Sequence, residues 1–151
     1  MRLRLATAAE TPAMAAAHAL AFEAPWRDDE FEDLLDGEGI YGFLAVDGEP
    51  LGVVLCRVAA DEMEVLTLGV PPAARRRGVG LALMTLALAE ARTRRARAAF
   101  LEVDVANAAA VALYERLGFQ PAGLRRNYYD RGASGMADAL VMRLDLGPAS
   151  A

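Results

Sequence analysis

Hydrophobic residues in the first part of the chain recur at the spacing of a helix. A first helix is predicted from about Ala8 to Phe22. Thr7 and Glu10 have the spacing of a capping box, and Pro12 lies in the first turns, where proline is tolerated. A second short helix is predicted to run through Leu35, with Asp28 as its cap and acids in its first turn, where the helix dipole favours them.

After Gly39 the period changes to two, which is typical of strands. The predicted strands are a short first strand over Arg2–Ala6 and three longer ones over Tyr41–Val46, Leu51–Ala59 and Met63–Val70. Asp47-Gly48 is a strong signal for a tight hairpin between two of them. The middle of the chain is therefore predicted to form an antiparallel meander.

The second half of the chain alternates helix and strand. The predicted elements are a helix over Leu81–Arg97, a strand over Phe100–Val105, a helix from Asn107 to Leu117 ended by Gly118, a return to extended structure at Phe119, a polar loop over about Gly123–Gly135 and a last strand over Ala137–Leu146. A strand, a helix and a strand in succession require a crossover between parallel neighbours. Strands four and five are therefore predicted to be parallel, which makes the fold a mixed α+β one.

The composition supports one globular unit, because 55% of the 151 residues are hydrophobic and 25% are charged. We expect a single domain over residues 1–146 and a loose tail over residues 147–151. The net charge of −5 argues against direct nucleic-acid binding and against an anionic membrane surface, and it favours a cationic partner. No stretch reaches the roughly 18 to 20 apolar residues that span a bilayer.

Cysteine and histidine occur once each. Cys56 cannot form an internal disulfide, and His18 cannot anchor a metal site without unusual ligands, so we expect no metal. The N-terminus lacks the pattern of a signal peptide, and the single cysteine suits a reducing compartment, so a cytoplasmic location is expected.

The segment Arg75–Gly80 is the most informative stretch of the chain, because it follows a strand and opens a helix. Its glycines allow close backbone approach to an anion, amide groups at a helix start point outward, and the arginines add positive charge. These features favour a pyrophosphate site. The segment matches neither a P-loop nor the dinucleotide fingerprint. A solvated arginine cluster before an ordinary helix is the alternative interpretation.

Two motifs together resemble the GCN5-related N-acetyltransferase (GNAT) superfamily, and the resemblance covers most of the chain. The acetyl-CoA signature Gln/Arg-x-x-Gly-x-Gly/Ala falls on Arg75, Gly78 and Gly80. The pattern N-x-x-A-x-x-L-Y-E-x-x-G-F falls on Asn107, Ala110, Leu113, Tyr114, Glu115, Gly118 and Phe119. Within the superfamily the chain is similar to the RimI type, which acetylates the N-terminal alanine of a small-subunit ribosomal protein. The matching pieces are Ala24–Trp26, Glu64–Val70, Leu101–Val103 and Arg125–Tyr129.

The resemblance implies a fold, a cosubstrate and an acceptor. The fold is a mostly antiparallel sheet of about seven strands, with strands four and five parallel and splayed apart, flanked by about four helices. The cosubstrate is acetyl-CoA, and the acceptor is the N-terminal amine of a basic ribosomal protein. A monomer and a homodimer are both open. The implied cofactor-binding residues are Leu68, Gly69, Val70, Arg75, Arg76, Arg77, Gly78, Val79, Gly80, Leu81 and Asn107.

Transfer of an acetyl group to an amine needs a base and a proton for the departing thiolate. Alternation along the strand puts Glu102 and Asp104 on one face, and Glu102 matches the catalytic glutamate of the RimI type. We hypothesise that Glu102 is the general base and Tyr114 the general acid. A solvent-facing strand acid and a core aromatic are the respective alternatives. Asn107 is expected to cap its helix and to bind the pantetheine arm, with capping alone as the alternative.

Several features of the sequence allow two interpretations each. Seven acids crowd the second helix and its exit, and they either attract a basic peptide or form a solvated face: Asp28, Asp29, Glu30, Glu32, Asp33, Asp36 and Glu38. Arg125–Tyr129 is a candidate lid over the peptide or an ordinary exposed loop. Gly69 stands where the RimI pattern has a bulkier residue. It either lets the cofactor approach or simply loosens the strand. Asp104 is a candidate to assist proton transfer.

Direct attack of the amine is expected, because Cys56 has no second histidine to form a Cys-His nucleophile pair. The competing functions are acetylation of free amino acids, small amines or lysine side chains, and CoA binding without turnover in a regulatory domain.

Overall fold

The computed structural model describes residues 1–22, 24–130 and 135–148. The strands are β1 (Arg2–Leu5), β2 (Ile40–Asp47), β3 (Glu49–Ala59), β4 (Glu62–Gly69), β5 (Ala98–Asp104), β6 (Gln120–Asp130) and β7 (Met136–Asp145). The α-helices in these ranges are α1 (Thr11–Ala21), α2 (Asp28–Leu35), α3 (Val79–Thr93) and α4 (Ala108–Arg116), with 3₁₀ turns at Ala8–Glu10 and Pro72–Ala74.

All seven strands belong to one sheet in the order β1-β2-β3-β4-β5-β7-β6. The meander β1 to β4 is antiparallel, and β4 and β5 are parallel, which confirms both sequence predictions. The β4–β5 pairing covers only Glu62–Glu64 against Ala98–Phe100. The two strands therefore part in the middle of the sheet, as the resemblance implied.

A β-bulge in β4 sits immediately beyond the point where the two strands part. Leu55 of β3 pairs with Thr67, whereas the next residue, Cys56, pairs with Val65, so Leu66 is an extra residue. Because alternate strand residues face opposite sides, an inserted residue switches the faces that follow. Cys56 and Val65 accordingly belong to the core under α3 and α4. Leu55 belongs to the core under α1 and α2, and Thr67 lies on that second face.

The starts of the first two helices differ from the predictions. Thr7 makes no capping hydrogen bond, and Glu10 forms an ion pair with Arg4 instead, so the predicted capping box is wrong. A 3₁₀ turn precedes α1, which ends at Ala21. Asp28 is the first residue of α2 rather than its cap. The cap is Arg27, whose backbone N–H donates to Glu30 Oε1 at 3.2 Å.

The boundaries of α3 and of the last hairpin also differ from the predictions. α3 starts two residues earlier than predicted and ends at Thr93, beyond which Arg95 adopts a positive φ of 68°. The loop predicted over Gly123–Gly135 is wrong, because β6 continues to Asp130 and β7 starts at Met136. β6 is an edge strand that pairs only with β7. Its exposed polar residues gave it the composition of a loop. Residues 131–134 of that loop and 149–151 of the predicted tail lie outside the described residues.

The predicted ends of α4 are confirmed. The Asn107 side chain accepts a hydrogen bond from the Ala110 N–H at 3.1 Å, and Gly118 follows the helix with a φ of 102°. Among the helices of the described part of the chain, none combines the length and the apolar character needed to cross a bilayer.

Candidate active site

A pocket of about 220 Å³ lies over the paired start of β4 and β5 and extends to Glu102, just beyond the last paired residues. Its walls come from β3, β4, β5 and β7, and it is lined by Arg57, Ala59, Glu62, Met63, Glu64, Phe100, Leu101, Glu102 and Val141. Beyond Glu64 the described residues show no pairing of β4 with β5. The edge of β4 that contains Leu68 and Gly69 therefore has backbone amide groups turned toward the gap, where a ligand can bind them.

Glu102 lies beside this pocket on the face of the sheet that carries α1 and α2. Leu101 and Val103, its neighbours in β5, are buried in the core on the opposite face. The Glu102 side chain is 21% exposed, and Arg125 Nη1 donates to its Oε1 at 2.5 Å. The structure therefore places Glu102 on the predicted face, and it adds a partner from β6.

Tyr128 belongs to the same cluster as Glu102 and Arg125. A hydrogen bond to Glu102 is the main cause that raises the pKa of Tyr128, followed by partial burial. The Arg125 guanidinium carbon lies 4.2 Å from the centre of the Tyr128 ring, in cation–π geometry. Sequence reasoning placed both residues in a loop and missed their contact with Glu102. No local signal could reveal this contact, since Glu102 and Arg125 are 23 positions apart.

Tyr114, a residue of α4, lies on the opposite side of the sheet from Glu102. Its side chain is buried in the core between the sheet and α3 and α4. It is 7% exposed and packs edge-on against Phe119 with ring centres 5.9 Å apart. Burial raises the pKa of Tyr114 well above its usual value. Its phenol therefore keeps its proton throughout the neutral pH range, and sequence reasoning required such a proton donor.

The segment between β4 and α3 has the backbone shape of an anion site. Gly78 is the N-cap of α3 with a left-handed φ of 76°, and Arg76 also has a positive φ, 63°. A Cβ at Gly78 would meet nothing within 4 Å, so the space above this turn is open. Arg75 is tied back, because its Nε donates to the carbonyl of Val70 at 3.0 Å. Arg75 thus links the loop to the end of β4.

The remaining predicted cofactor residues at the start of α3 differ in exposure. Val79 is buried in the core, so only its backbone can meet a ligand. A Cβ on Gly80 would lie 3.1 Å from Leu113 Cδ2, so this glycine allows α4 to pack closely on α3. Arg77 lies 3.7 Å from Asp47, a half-exposed pair, and Leu81 is partly buried.

Asn107 and Asp104 shape the connection from β5 to α4. Asp104 Oδ1 accepts a hydrogen bond from the Ala106 N–H at 2.9 Å, and Asn107 Oδ1 caps α4. The side chains of Asp104 and Asn107 therefore both stabilise this turn by accepting backbone hydrogen bonds. The Asn107 side chain is exposed, so its amide N–H groups can also reach a ligand.

Gly69, at the end of β4, gives space to an aromatic ring. A Cβ at this position would lie 3.0 Å from Phe22 Cε2 and 3.4 Å from Ala21 Cβ. The end of α1 therefore packs directly on the β4 backbone on the Glu102 face. The group that approaches Gly69 in this structure is Phe22, a contact that the sequence analysis did not predict.

His18 is buried beside Phe22, and sequence reasoning gave it no role. Burial lowers the pKa of His18 to about 4, and nearby Glu30 opposes this only partly. Cys56, the other residue with potential nucleophilic chemistry, is fully buried, and burial raises its pKa to about 12. Cys56 is therefore a neutral thiol at neutral pH and not the thiolate that covalent catalysis would require. Within the described ranges, no group of three or more His, Cys, Asp or Glu side chains could hold a metal ion.

The depressed pKa of His18 predicts a specific pH dependence of stability. In the unfolded chain the ring gains a proton near pH 6.5, whereas in the folded protein it stays neutral to about pH 4. The unfolded state therefore binds more protons in this window, and the free energy of unfolding falls as the pH drops from 6.5 to 4. Urea unfolding at several pH values should show this loss in the wild type.

A His18→Gln variant has no imidazole to titrate. Its free energy of unfolding should therefore fall less over the same pH window, by at most the amount that one bound proton contributes. A Glu115→Gln variant serves as a control, because it changes an exposed acid far from the ring. Equal slopes for the wild type and His18→Gln would show that His18 is not buried in its neutral form.

The sequence of this chain is similar to that of known proteins. The sequence pattern of the Acetyltransferase (GNAT) family matches residues 11–119. The [Ribosomal protein bS18]-alanine N-acetyltransferase of Escherichia coli K12 is 35% identical over 123 residues, which cover 81% of this chain and 82% of that protein. The N-alpha-acetyltransferase RimI of Mycobacterium tuberculosis is 47% identical over 96 residues, 64% of this chain and 57% of that protein.

Solved structures agree with the sequence relatives. The crystal structure of the E. coli ribosomal-protein-S18-alanine N-acetyltransferase matches with a TM-score of 0.87 and 32% identity, covering 99% of this chain and 97% of that one. Arabidopsis thaliana NAA60 in complex with acetyl-CoA shares the fold, with a TM-score of 0.81 at 20% identity over 95% of this chain and 97% of that one. The chain therefore belongs to the GNAT family of acetyltransferases.

Proposed function

We propose that this protein transfers an acetyl group from acetyl-CoA to the N-terminal amine of a protein, with the N-terminal alanine of ribosomal protein bS18 as acceptor. The observation that carries this proposal is the position of Glu102, beside the gap between β4 and β5 and on the face covered by α1 and α2. The E. coli relative named for this activity supports the choice of acceptor. Such an acceptor implies a cytoplasmic reaction, carried out by residues 1–146 as one catalytic unit.

The residues present fit acetyl-CoA on two observations. The gap leaves the β4 edge at Leu68–Val70 without a parallel partner, and the open left-handed turn at Gly78 leads into α3 beside exposed arginines. In the proposed arrangement the amides of Arg76–Leu81 and the arginine side chains hold the diphosphate. Leu68, Gly69, Val70 and Asn107 hold the pantetheine arm. When bound, acetyl-CoA supplies the activated acetyl thioester.

Glu102 is the proposed general base. An N-terminal amine has a pKa near 8, whereas lysine has a pKa near 10.4, so at pH 7 about a tenth of an N-terminal acceptor is neutral, roughly 200-fold more than of a lysine side chain. Glu102 therefore needs to remove only the proton released as the amine attacks, directly or through water. Arg125 and Tyr128 fix the position of the Glu102 carboxylate.

Tyr114 is the proposed general acid. Its position opposite Glu102, on the α4 side of the sheet, lets the two side chains act from different sides of the gap. The raised pKa of its phenol ensures that a proton is present for the departing sulfur. Because Cys56 is buried and protonated, attack of the amine on the thioester is direct.

The acceptor side carries the acids expected to attract a basic protein. All seven acids of α2 and its exit are exposed. Asp29 forms an ion pair with Arg27 at 3.0 Å, and Glu30 accepts from the Arg27 N–H, so these two stabilise the helix start. The others, Asp28, Glu32, Asp33, Asp36 and Glu38, are the proposed electrostatic attraction for a cationic ribosomal protein.

Replacement of Glu102 by Gln should lower kcat by about 10²-fold or more, because a general base contributes that much to rate. The dissociation constant for acetyl-CoA should stay within about twofold of the wild type. Thiol release with a peptide beginning Ala-Arg measures kcat, and calorimetry measures binding. Glu115→Gln, an exposed carboxyl-to-amide change on α4, is the matched control. Wild-type turnover in Glu102→Gln would refute the base assignment.

Replacement of Tyr114 by Phe should lower kcat by about 10²-fold, since the ring is kept and only the proton donor is lost. Phe119→Leu removes the ring that packs against Tyr114 but keeps the Tyr114 phenol, and it serves as the packing control. If Tyr114→Phe lowers the melting temperature but leaves kcat unchanged, Tyr114 is a core residue without a role in proton transfer.

The acceptor itself is tested with a panel of amines. A peptide that begins with the bS18 sequence should be acetylated with a higher kcat/KM than free amino acids, small amines or a lysine-containing peptide with a blocked N-terminus. Mass spectrometry of ribosomal proteins from a deletion strain should show that the mass of bS18 is lower by about 42 Da, which corresponds to one acetyl group. Turnover only with small amines would change the substrate class, and acetyl-CoA binding without turnover would indicate a regulatory domain.

A further inference from the structure

His18 connects two segments that are far apart in sequence. The backbone N–H of Trp26 donates to His18 Nδ1 at 3.0 Å. Because Nδ1 accepts this bond, the neutral ring carries its proton on Nε2. Nε2 therefore donates to Thr67 Oγ1, which lies 2.9 Å away. Both ring nitrogens are used, and the ring is only 2% exposed.

Aromatic packing fixes the plane of the His18 ring. Phe22 and Trp26 stack on it with ring centres 4.3 and 5.2 Å away, and Phe31 of α2 meets it edge-on at 5.4 Å. The ring thus joins the end of α1, the residues that follow it and α2. This cluster of His18, Phe22, Trp26 and Phe31 is called the aromatic clamp below.

The aromatic clamp rests on the part of β4 that borders the gap. Thr67 is the first residue after the bulge, and Leu68 and Gly69 follow it. Phe22 occupies the space above Gly69, where a Cβ would come within 3.0 Å of its ring. Thr67 and Gly69 share the face on which Glu102 projects from β5. The clamp therefore covers the end of β4 that borders the gap, on the same face of the sheet as Glu102.

We propose that His18 is a positioning residue for the acceptor: through Trp26 and Thr67 it holds the segment after α1 against the end of β4. This inference rests on the proposed N-terminal acetyltransferase function. His18 acts on no reacting atom, because each of its nitrogens is bound to a protein group. Its loss should weaken acceptor binding and leave the acetyl-CoA side of the gap intact.

The kinetic test separates the two hydrogen bonds. Thr67→Val removes the hydroxyl at nearly constant shape, and Thr67→Ser restores it. His18→Asn keeps an acceptor at the Nδ1 position and loses the Nε2 donor, whereas His18→Gln does the reverse. Thr67→Val and His18→Asn should each raise the KM for an Ala-Arg peptide about fivefold, the equivalent of one neutral hydrogen bond. The double variant should show little further change, and Thr67→Ser should be close to wild type.

A second readout does not depend on turnover. Trp26 is the only tryptophan, so its fluorescence reports on this segment alone. Thr67 lies on β4, whereas Trp26 lies between α1 and α2, so a rise in acrylamide quenching of Trp26 in Thr67→Val shows that His18 couples the position of this segment to β4. Leu20→Ala, an exposed change on α1, should leave the quenching unchanged.

Three outcomes would overturn the inference. If Trp26 quenching and the peptide KM are both unchanged in Thr67→Val and His18→Asn, the hydrogen bonds of His18 contribute to packing only and do not position the acceptor. A rise in the dissociation constant for acetyl-CoA as large as that in peptide KM would place the effect on the cofactor side. Additive effects in the double variant would show that the two residues act independently. Failure of the proposed function is distinct: wild-type protein would then acetylate no N-terminal peptide, while the Trp26 readout still decides whether the clamp exists.

Discussion

The partial pairing of β4 with β5 is the constraint on which the rest of the structure depends. Three residues at the start of each strand hold the two halves of the sheet together, and beyond them each strand pairs on one side only. A break in the middle of a sheet costs backbone hydrogen bonds, so the exposed edge must be stabilised in other ways. Core residues on both faces of the sheet provide this stabilisation, together with the Arg75 side chain that binds the carbonyl of Val70.

The bulge at Leu66 gives the two faces of the gap different chemistry. Because it shifts the alternation of β4, Thr67 and Gly69 turn toward α1, and Leu68 packs against the core under α3. Glu102 projects to the α1 face and Tyr114 approaches from the α4 face. In the proposed mechanism the proton acceptor, Glu102, and the proton donor, Tyr114, belong to opposite faces of the sheet, and together they would deprotonate an amine and protonate a sulfur.

The sequence predicted the elements whose determinants are local. The hairpin at Asp47-Gly48, the cap at Asn107, the glycine after α4 and the alternation around Glu102 all depend on residues within a few positions of one another. The prediction was wrong for β6, because residues 120–128 of this edge strand are all exposed, so no alternation of polar and apolar residues marks the strand and its composition is that of a loop. The contact between Arg125 and Glu102 could not be predicted either, since it depends on that strand's register against β7.

His18 illustrates the same limit from the other side of the gap. A lone histidine on an alanine-rich helix has no local feature that marks it, and its two partners lie 8 and 49 positions away. Its significance arises only when α1 packs on β4, because Gly69 leaves room for Phe22 and Thr67 presents its hydroxyl to the ring. Most of the proposed cofactor residues fall in one stretch of the chain, Leu68–Leu81, which contains a recognisable motif. The acceptor side is assembled from distant ones, so its specificity depends on tertiary packing that sequence patterns do not contain.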